Sequence, residues 1–444
     1  MPSLWQECSA LWKLAWPVSL TASATMSMSV VDTIMVGRLG TETLAASALA
    51  GVYMYSASSF PRNLSIGAVP LVSQALGAKR LGLLPDIFWS SVLINVLLLF
   101  PLVALYWFSP NILIALAQET ELSILAGQYC RVLIVSLPAM LLFSIVMRFL
   151  QSLERVKELT IAAVICNFIN VAGNWFFMYE LELGLVGCAI STVICETLIL
   201  VFAVWMARDV LIRIIFASPS FRQLATVWRL GWPSSLQTST EGWGFSASVL
   251  IAGMLGASMV AAHSIVLNVL TVLFMLPLGF SVAIGVVTGK RVGAQLDWWP
   301  SAKAGFALTV AAQLGSAGVL FVLGEHLASV YTSEVHLQEL AASAFKICAW
   351  FIVADGLQVV GFGVLRSLAD VRIPVWFNVI GYWVVGLPIG AWLALRVKWG
   401  IDGLWTALAV SLSLIALLCW LRILYWKKHG VDAIYEAENE GRAE

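Results

Sequence analysis

The sequence predicts an all-α integral membrane protein with about twelve transmembrane helices in two pseudo-symmetric six-helix bundles. Of the 444 residues, 60% are hydrophobic and only 11% are charged, whereas soluble domains carry about 25% charged residues. The apolar residues form about twelve segments of membrane-spanning length, and the second half of the chain repeats the first. A formal net charge of zero gives no general attraction to nucleic acid, so we expect no nucleic-acid partner.

Each predicted span contains roughly 20 or more mainly apolar residues, the length that crosses a bilayer. The spans end at charged residues or at clusters of Gly and Pro, and they cover approximately residues 10–37, 44–76, 86–108, 122–150, 159–179, 183–207, 226–255, 260–289, 302–323, 337–367, 373–395 and 401–426. A long polar connection separates spans six and seven. It divides the chain into an N-lobe (1–207), an inter-lobe loop (208–225), a C-lobe (226–426) and a tail (427–444).

Lysine and arginine residues predict the orientation, because the cytoplasmic loops of membrane proteins are enriched in them. The inter-lobe loop and connections such as those at Lys79/Arg80 and Arg155/Lys157 are basic, whereas the alternate connections are mostly acidic. The basic set, the inter-lobe loop, the tail and both termini should therefore be cytoplasmic. We expect a monomer in the lipid bilayer of a bacterial inner membrane.

The two halves of the chain align at an offset of 216 residues over the first matched segments, which pairs residues of the first repeat with their equivalents in the second. LWKLAWPVSL (Leu11–Leu20) matches VWRLGWPSSL (Val227–Leu236), and VGRLGTETLAA matches AGMLGASMVAA without a gap. Further along, LQSLERVK matches LRSLADVR. An even number of spans in each repeat gives both lobes the same orientation, so the repeat is parallel, an arrangement found in transporters.

Three acids lie deep in predicted spans: Asp32, Glu241 and Asp355. A charged side chain at the bilayer centre costs about 2.5–3.5 kcal/mol on insertion scales, so such residues are rare and mostly functional. No Lys or Arg deep in a span is an evident partner for Asp32 or Glu241. We therefore expect these acids to be protonated, to bind a cation or to face a water-filled cavity; the alternative is a neutral, hydrogen-bonded structural role.

The repeat relates the acids of the two lobes. Asp32 corresponds to Ser248, and Glu241 lies seven residues before that position on the equivalent helix. Seven residues make nearly two helical turns, so Glu241 lies on the same face, displaced by about 10 Å along the helix axis. Each lobe therefore has an inward-facing acid, at a different depth.

Polar residues in spans five and six predict an ion-coupling site around Asp32. Asn167, Asn170 and Asn174 form one stripe on span five, and Thr192 of span six can join it. Amide and hydroxyl oxygens beside a carboxylate are ligands for Na⁺, or hydrogen-bond partners for a protonated acid. The alternative is that the asparagines connect helices to one another.

In the C-lobe, Asp355 and Gln358 lie one turn apart on span ten and, with Glu241, form a predicted site for the coupling ion or the substrate. Pro17 and Pro233 occupy matching positions early in spans one and seven and predict kinks or hinges. Several aromatic residues near the acids would offer cation–π faces to an organic cation: Tyr53, Trp243, Phe245 and Trp350.

The sequence contains no Walker A, HExxH or GxSxG motif, and its four histidines lack metal-ligand spacing. It therefore offers no visible machinery for an ATP-driven pump or a hydrolase. We expect the protein not to be an enzyme and to need no cofactor.

Five segments, spread over nearly the whole chain, resemble the multidrug and toxic compound extrusion (MATE) family. WPVSL…VVDTIMVGRLG, VPLVSQALGA and CNFINVAGN resemble its N-lobe, and TSTEGWGFSASVLIAGMLG and ADGLQVVGFGVLRSLADVRIP resemble its C-lobe. The resemblance implies two six-helix bundles facing a central cavity, which export organic cations against inflow of Na⁺ or H⁺. It also implies an N-lobe ion site at Asp32, Asn170, Asn174 and Thr192. Pro17 would be the proline that bends the first helix, and Glu241 and Asp355 would be the C-lobe acids of the NorM-like branch.

Asn174 departs from the family pattern, because some members have a second aspartate in the fifth helix. The coupling ion therefore stays open between Na⁺ and H⁺. We expect a secondary antiporter for cationic amphipathic drugs, whose two lobes alternate access. The alternatives are a flippase for a lipid-linked or lipid-like substrate, which would need a basic cavity, and an intramembrane enzyme, which would turn over without an ion gradient.

Overall fold

The computed structural model describes residues 4–218 and 220–434, and the regular elements of these residues are all helices. In the first half they are α1 (Leu4–Gly37), α2 (Thr41–Leu64), α3 (Ala68–Gly77), α4 (Leu84–Trp107), α5 (Ser109–Ala115), α6 (Thr120–Leu133), α7 (Leu137–Ser152), α8 (Val156–Asn174), α9 (Gly184–Met206) and α10 (Arg208–Ile215). Short 3₁₀ turns join α2 to α3 and α6 to α7, so each pair forms one span. A π-helix, Trp175–Glu180, extends α8.

The second half contains α11 (Leu224–Leu255), α12 (Ala257–Gly293), α13 (Trp299–Tyr331), α14 (Val335–Ser367), α15 (Arg372–Asn378), α16 (Leu387–Ala391) and α17 (Gly400–His429). Two π-helices, Val379–Gly386 and Trp392–Arg396, join α15 and α16 into one continuous span. The predicted tail begins inside α17, and its residues from 435 onward lie outside the described part of the chain.

The predicted fold class is confirmed. Within the described ranges, ten helical stretches are long and apolar enough to cross a membrane. The connected pair α2–α3 and the long helix α11 correspond to the two remaining predicted spans. Part of the predicted inter-lobe loop is the helix α10, which forms because Leu211 and Ile214, three residues apart, bury one face while its charged residues face outward.

Backbone geometry repeats between the two halves as the sequence does. Five pairs of residues with positive φ recur at equivalent positions of the two repeats, to within one residue: Gly40 and Gly256 (120° and 113°), Lys79 and Gln295 (56° and 55°), Glu154 and Ala369 (62° and 60°), Glu182 and Lys398 (53° and 63°), and Gly184 and Gly400 (53° and 58°). Residues other than Gly seldom adopt this conformation. Its recurrence at matching connections shows that the two halves share one backbone plan.

We expect Gly256→Ala to lower the thermal stability of the protein. Gly256 begins α12 with φ 113° and ψ 169°, a conformation that only glycine adopts readily. No atom lies within 4 Å of the position of an added Cβ, so backbone strain of about 1–3 kcal/mol is the expected effect. The melting temperature of the purified protein measures it.

The matched control is Gly318→Ala in the interior of α13. Its added Cβ also meets nothing within 4 Å, and its backbone is helical. Alanine should therefore stabilise this helix, by up to about 1 kcal/mol. Equal melting temperatures for the two variants would contradict the assignment of strain at Gly256.

The chain divides into two compact units, which we name by the halves that supply most of their residues. The N-unit comprises Leu20–Val72 and Arg80–Ser235, and the C-unit comprises the chain up to Ser19, Ser73–Lys79 and the chain from Leu236. Both α1 and α11 therefore pass from one unit to the other, and they do so at equivalent positions of the repeat. The predicted lobe boundaries at residues 207 and 226 stay predictions.

Within the C-unit, buried polar contacts hold the first turns of α1 and the end of α3. Glu7, which is 5% exposed, accepts hydrogen bonds from the guanidinium of Arg291 and from Ser301 Oγ. Gln74 Nε2 donates to the carbonyl oxygen of Ser367 over 2.8 Å, and Gln74 Oε1 accepts from the amide of Ile434 over 2.9 Å. These segments are thereby fixed to the C-unit.

Within the N-unit, the start of α8 is joined to α10 outside the membrane spans. The guanidinium of Arg155, just before α8, contacts Glu158 and donates to Asp209 Oδ2 over 2.8 Å. The hydrogen bond from Arg155 lowers the pKa of the Asp209 carboxyl below its usual value. This charged contact connects α10 to the start of α8.

Candidate functional site

The N-unit brings the predicted ion-coupling residues together. Asn174 Nδ2 donates to Asp32 Oδ1 over 2.6 Å and also lies 3.4 Å from Asn170 Oδ1. Asn170 lies beside Asn174 on α8, and Thr192, whose Oγ1 donates to the carbonyl oxygen of Cys188 over 3.0 Å, lines the same cavity as Asp32. The four residues come from α1, α8 and α9, so tertiary packing assembles this site.

The amide groups of this site are not saturated. Asn170 and Asn174 are both fully buried, yet Asn174 Oδ1 and Asn170 Nδ2 have no hydrogen-bond partner among the described residues. A buried polar atom without a partner is destabilising, and most such atoms in proteins are satisfied. The Asp32 carboxylate and the free Asn174 oxygen together fit a small cation that prefers oxygen ligands.

Asp32 and Thr192 line a cavity of about 300 Å³ inside the N-unit. Its walls include methionine and aromatic side chains from α1, α2, α4, α6 and α7: Met28, Met54, Met140, Tyr55, Tyr106, Tyr129 and Phe143. This volume is at the lower end of the range for sites that hold small organic molecules. The carboxylate of Asp32 is therefore accessible from a largely apolar space.

Two charged residues of this cavity were missed by the sequence reasoning. Glu196 of α9 is a fourth acid inside a span, and Arg62 of α2 is a cation inside a span; both line the cavity. Arg62 is therefore a deep cation in the same cavity as Asp32. The signal was visible, because Glu196 lies four residues after Thr192 and so on the same helix face.

The C-unit brings its predicted site residues together around Glu241. Gln358 Nε2 donates to Glu241 Oε1 over 3.0 Å, and Tyr382 Oη donates to the same oxygen over 3.5 Å. Asp355 lies within electrostatic range of Glu241, and so does the guanidinium of Arg366. Arg366 is thus a deep cation near Glu241, which corrects the expectation that no deep Lys or Arg is an evident partner for this acid.

Sequence reasoning also missed the polar contribution of the eleventh span to this site. Asn378 Nδ2 donates to the carbonyl oxygen of Gln237 over 2.9 Å, and Tyr382 of the same span reaches Glu241. These residues fix the π-helical segment against α11 beside the acid. Asn378 lies within an otherwise apolar segment, which was the available signal.

The repeat conserves a contact while changing its side chain. Asn167 Nδ2 donates to the carbonyl oxygen of Ala24 over 2.8 Å in the N-unit. At the equivalent positions of the C-unit, Trp383 Nε1 donates to the carbonyl oxygen of Thr240 over 3.3 Å. Each contact anchors an acid-bearing helix, α1 in the N-unit and α11 in the C-unit.

At Ser248, the repeat equivalent of Asp32, the C-unit has a neutral pair. Ser248 Oγ lies 3.0 Å from Nε2 of the buried His263, whose ring packs against Trp405. The acid of α11, Glu241, lies two turns earlier on the same helix. The two units therefore differ in the depth of their acids.

The aromatic residues predicted to meet the substrate have different surroundings. Phe245 packs edge-on against Tyr382, with ring centroids 5.7 Å apart, and so borders the Glu241 site. Trp243 lies near it on α11, with a buried indole nitrogen that has no partner among the described residues. Trp350 is 83% exposed. Tyr53 donates to the carbonyl oxygen of Leu105 over 2.7 Å, and its neighbour Tyr55 lines the N-unit cavity instead.

The predicted hinge residues lie inside continuous helices, Pro17 in α1 and Pro233 in α11. Each proline lies two residues before the point where its helix passes from one compact unit to the other, after Ser19 and after Ser235. A proline removes one backbone hydrogen bond and weakens the helix locally. Both helices are therefore weakened close to a unit boundary.

Comparison with known proteins gives the family. The MatE family model matches residues 17–176 and 233–392, once in each half. The chain is 30% identical over 457 aligned residues to the multidrug resistance protein NorM of Burkholderia vietnamiensis, covering 96% of this chain and 95% of that protein. It is 29% identical to human multidrug and toxin extrusion protein 1, covering 95% of this chain and 76% of that protein.

A solved structure, that of a eukaryotic MATE transporter, superposes with a TM-score of 0.87 at 23% identity and covers 96% of this chain and 97% of that chain. At this identity the likeness shows the fold, two repeats of six spans. The family match covers both repeats. The chain therefore belongs to the MATE family of multi-pass membrane transporters and is similar to its NorM members.

Proposed function

We propose that the protein is a secondary active multidrug exporter, which expels cationic amphipathic compounds by antiport against H⁺ or Na⁺. The observation that carries this proposal is the Asp32 site. The Asp32 carboxylate lines a cavity and contacts Asn174, and Asn170 and Asn174 each have an amide atom with no partner among the described residues, so the carboxylate can hold either a small cation or a proton. The multidrug resistance protein NorM of Burkholderia vietnamiensis, 30% identical, supports the substrate class.

In this mechanism, Asp32 with Asn170, Asn174 and Thr192 binds the coupling ion, which is transported cargo. Glu241, Asp355 and Gln358 bind the cationic group of the substrate or a second coupling ion. Binding of the ion drives the transition between inward-facing and outward-facing states only if it binds one state better than the other. Pro17 and Pro233 let α1 and α11 bend at the unit boundaries during this transition.

The proposal includes an oligomeric state, a membrane and an orientation. The transporter works as a monomer in a bacterial inner membrane, with both termini in the cytoplasm, and it needs no cofactor. The basic residues of the inter-lobe connection and of the end of α17 support this orientation.

The deciding experiment is dye efflux from vesicles under separately imposed gradients. Purified protein is reconstituted into vesicles. The vesicles are loaded with ethidium and exposed to a sodium gradient alone or to a pH gradient alone. We expect one of the two gradients to drive efflux against the ethidium concentration and an ionophore to stop it. Efflux that persists without any gradient, or that neither gradient drives, would overturn the proposal.

A further inference from the structure

Two lysine side chains share one tryptophan ring at the end of the C-unit where α13 begins and α17 ends. The ammonium group of Lys427 lies 4.3 Å from the centroid of the Trp299 ring, and that of Lys303 lies 5.7 Å from it. The two positive charges are therefore at most about 10 Å apart, the sum of these distances. Like charges at this separation are only partly screened by physiological salt. An anion that contacts both lysines would remove their repulsion.

The protein itself supplies no such anion among its described residues. Both lysines are exposed, and no described carboxylate lies within 4.0 Å of either ammonium group. Acids of the neighbouring helix ends contact other groups: Glu7 contacts Arg291, Asp370 contacts Arg422, and Asp297 Oδ1 accepts from the backbone amide of Trp299. The two lysines are therefore free to bind an anion from outside the protein.

These lysines lie within a cluster of aromatic side chains. The rings of Trp299 and Trp420 have centroids 6.1 Å apart, and Phe306 packs edge-on against Trp420 at 5.2 Å. Tryptophan is enriched at the depth of the lipid headgroups in membrane proteins. The cluster therefore places Lys303 and Lys427 at the depth of the lipid phosphates. We call Trp299, Lys303, Trp420 and Lys427 together the Trp299 surface.

Deeper in the membrane, α13 and α17 expose apolar side chains. Only 22% of an apolar 18-residue stretch of α13 is buried, the smallest share among the ten such stretches in the described ranges. Leu314 of α13, eleven residues after Lys303, and Leu417 of α17, ten residues before Lys427, are both exposed. At 1.5 Å per residue these leucines lie about 15 Å from the lysines, half the thickness of a bilayer's hydrocarbon core. The surface thus combines positive charge at one end with apolar contacts through the depth of one leaflet.

We propose that the Trp299 surface is a binding site for an anionic phospholipid. The lipid phosphate lies between the ammonium groups of Lys303 and Lys427, beside the Trp299 ring, and an acyl chain follows the exposed leucines. Basic sites between membrane-spanning helices bind anionic headgroups in this way. A zwitterionic lipid carries a cationic group of its own, which two lysines repel. The site is separate from the acids assigned to the coupling ion and the substrate, so this inference does not depend on the proposed export function.

The test is lipid binding to the purified full-length protein, measured by native mass spectrometry. Phosphatidylglycerol and phosphatidylcholine with identical acyl chains are titrated separately, and the dissociation constant of the first retained lipid is determined. We expect Lys303→Gln and Lys427→Gln each to weaken phosphatidylglycerol binding about fivefold, and the double variant to weaken it about 25-fold. Phosphatidylcholine should bind the wild-type protein and the double variant within about twofold of each other.

Lys428→Gln is the matched control. Lys428 is the exposed neighbour of Lys427 on α17, and consecutive residues of a helix point about 100° apart. This substitution changes the net charge equally and should leave the phosphatidylglycerol affinity within about twofold of wild type. Equal weakening by Lys427→Gln and Lys428→Gln would show attraction to net charge alone and would overturn the inference. Unchanged affinity in the double variant would also overturn it.

Two further comparisons identify the anion and the role of charge. Inorganic phosphate at the concentration of lipid that half-saturates the protein should not displace phosphatidylglycerol, because it lacks the acyl chains that contact the leucines. Displacement would assign the lysines to a free anion and would overturn the lipid assignment. Lys427→Arg keeps the charge and should keep the affinity, whereas a loss as large as that of Lys427→Gln would contradict recognition by charge.

Discussion

Asp32→Asn is expected to reduce gradient-driven efflux to the level of empty vesicles while the protein still folds. The substituted side chain has the same volume. Its oxygen can still accept the hydrogen bond that Asn174 Nδ2 donates to Asp32 Oδ1 over 2.6 Å in the wild-type protein. It can neither bind a proton nor balance the charge of a cation. Without that differential binding, the ion gradient cannot drive the conformational change.

The measurement is ethidium efflux from vesicles, with thermal stability of the purified variant recorded alongside. Asp432→Asn is the matched control, because Asp432 is exposed and lies after the last span. The control should retain wild-type efflux. Wild-type efflux by the Asp32→Asn variant would exclude Asp32 as the coupling residue.

Much of the fold followed from the sequence because the membrane imposes strict lengths. Apolar segments must be long enough to cross the bilayer and must satisfy their backbone hydrogen bonds internally, so their number and type can be predicted from composition. The repeat added the parallel arrangement, and the matching backbone at Gly40 and Gly256 agrees with it. The contact between Asp32 and Asn174 was also predictable, since helical spacing put the asparagines on one face.

Cavity walls were less predictable because they depend on how helices rotate against one another. Tyr53 and Tyr55 are two residues apart on α2 and therefore face different directions. Only Tyr55 lines the cavity, whereas Tyr53 bonds to the backbone of α4. Periodicity within α2 could not decide between them, because the decision lies with α4 and α6 packing beside it.

Arg62 shows a second limit of sequence reasoning. It lies between two apolar segments of one predicted span, where a single cation reads as a local break in hydropathy. Its relation to Glu196 joins residues that are distant in the sequence and exists only once α2 and α9 line the same cavity. Pairwise charge relations of this kind require the assembled bundle.

Glu241→Gln is expected to weaken the binding of a monocationic substrate about tenfold or more, because a contact to a charged group contributes about 1.5–3 kcal/mol. Gln retains the volume of the side chain and can still accept the hydrogen bond from Gln358 Nε2, which is 3.0 Å long. The negative charge disappears, and the half-buried Arg366 loses its nearby counter-charge. Titration of the purified variant with ethidium measures the change.

Ser248→Ala is the control for Glu241→Gln, because it removes a polar contact of the same helix without removing charge: Ser248 bonds to His263 two turns beyond Glu241. Ethidium affinity should stay near the wild-type value in that variant.

Comparison with Asp32→Asn then separates the two acids by role. If Asp32 binds the coupling ion and Glu241 binds the substrate, the Asp32 variant keeps ethidium binding and loses transport, whereas the Glu241 variant loses both. Equal ethidium binding by wild-type and Glu241→Gln protein would instead assign Glu241 to the coupling ion, because only a group that contacts the substrate changes its equilibrium affinity directly.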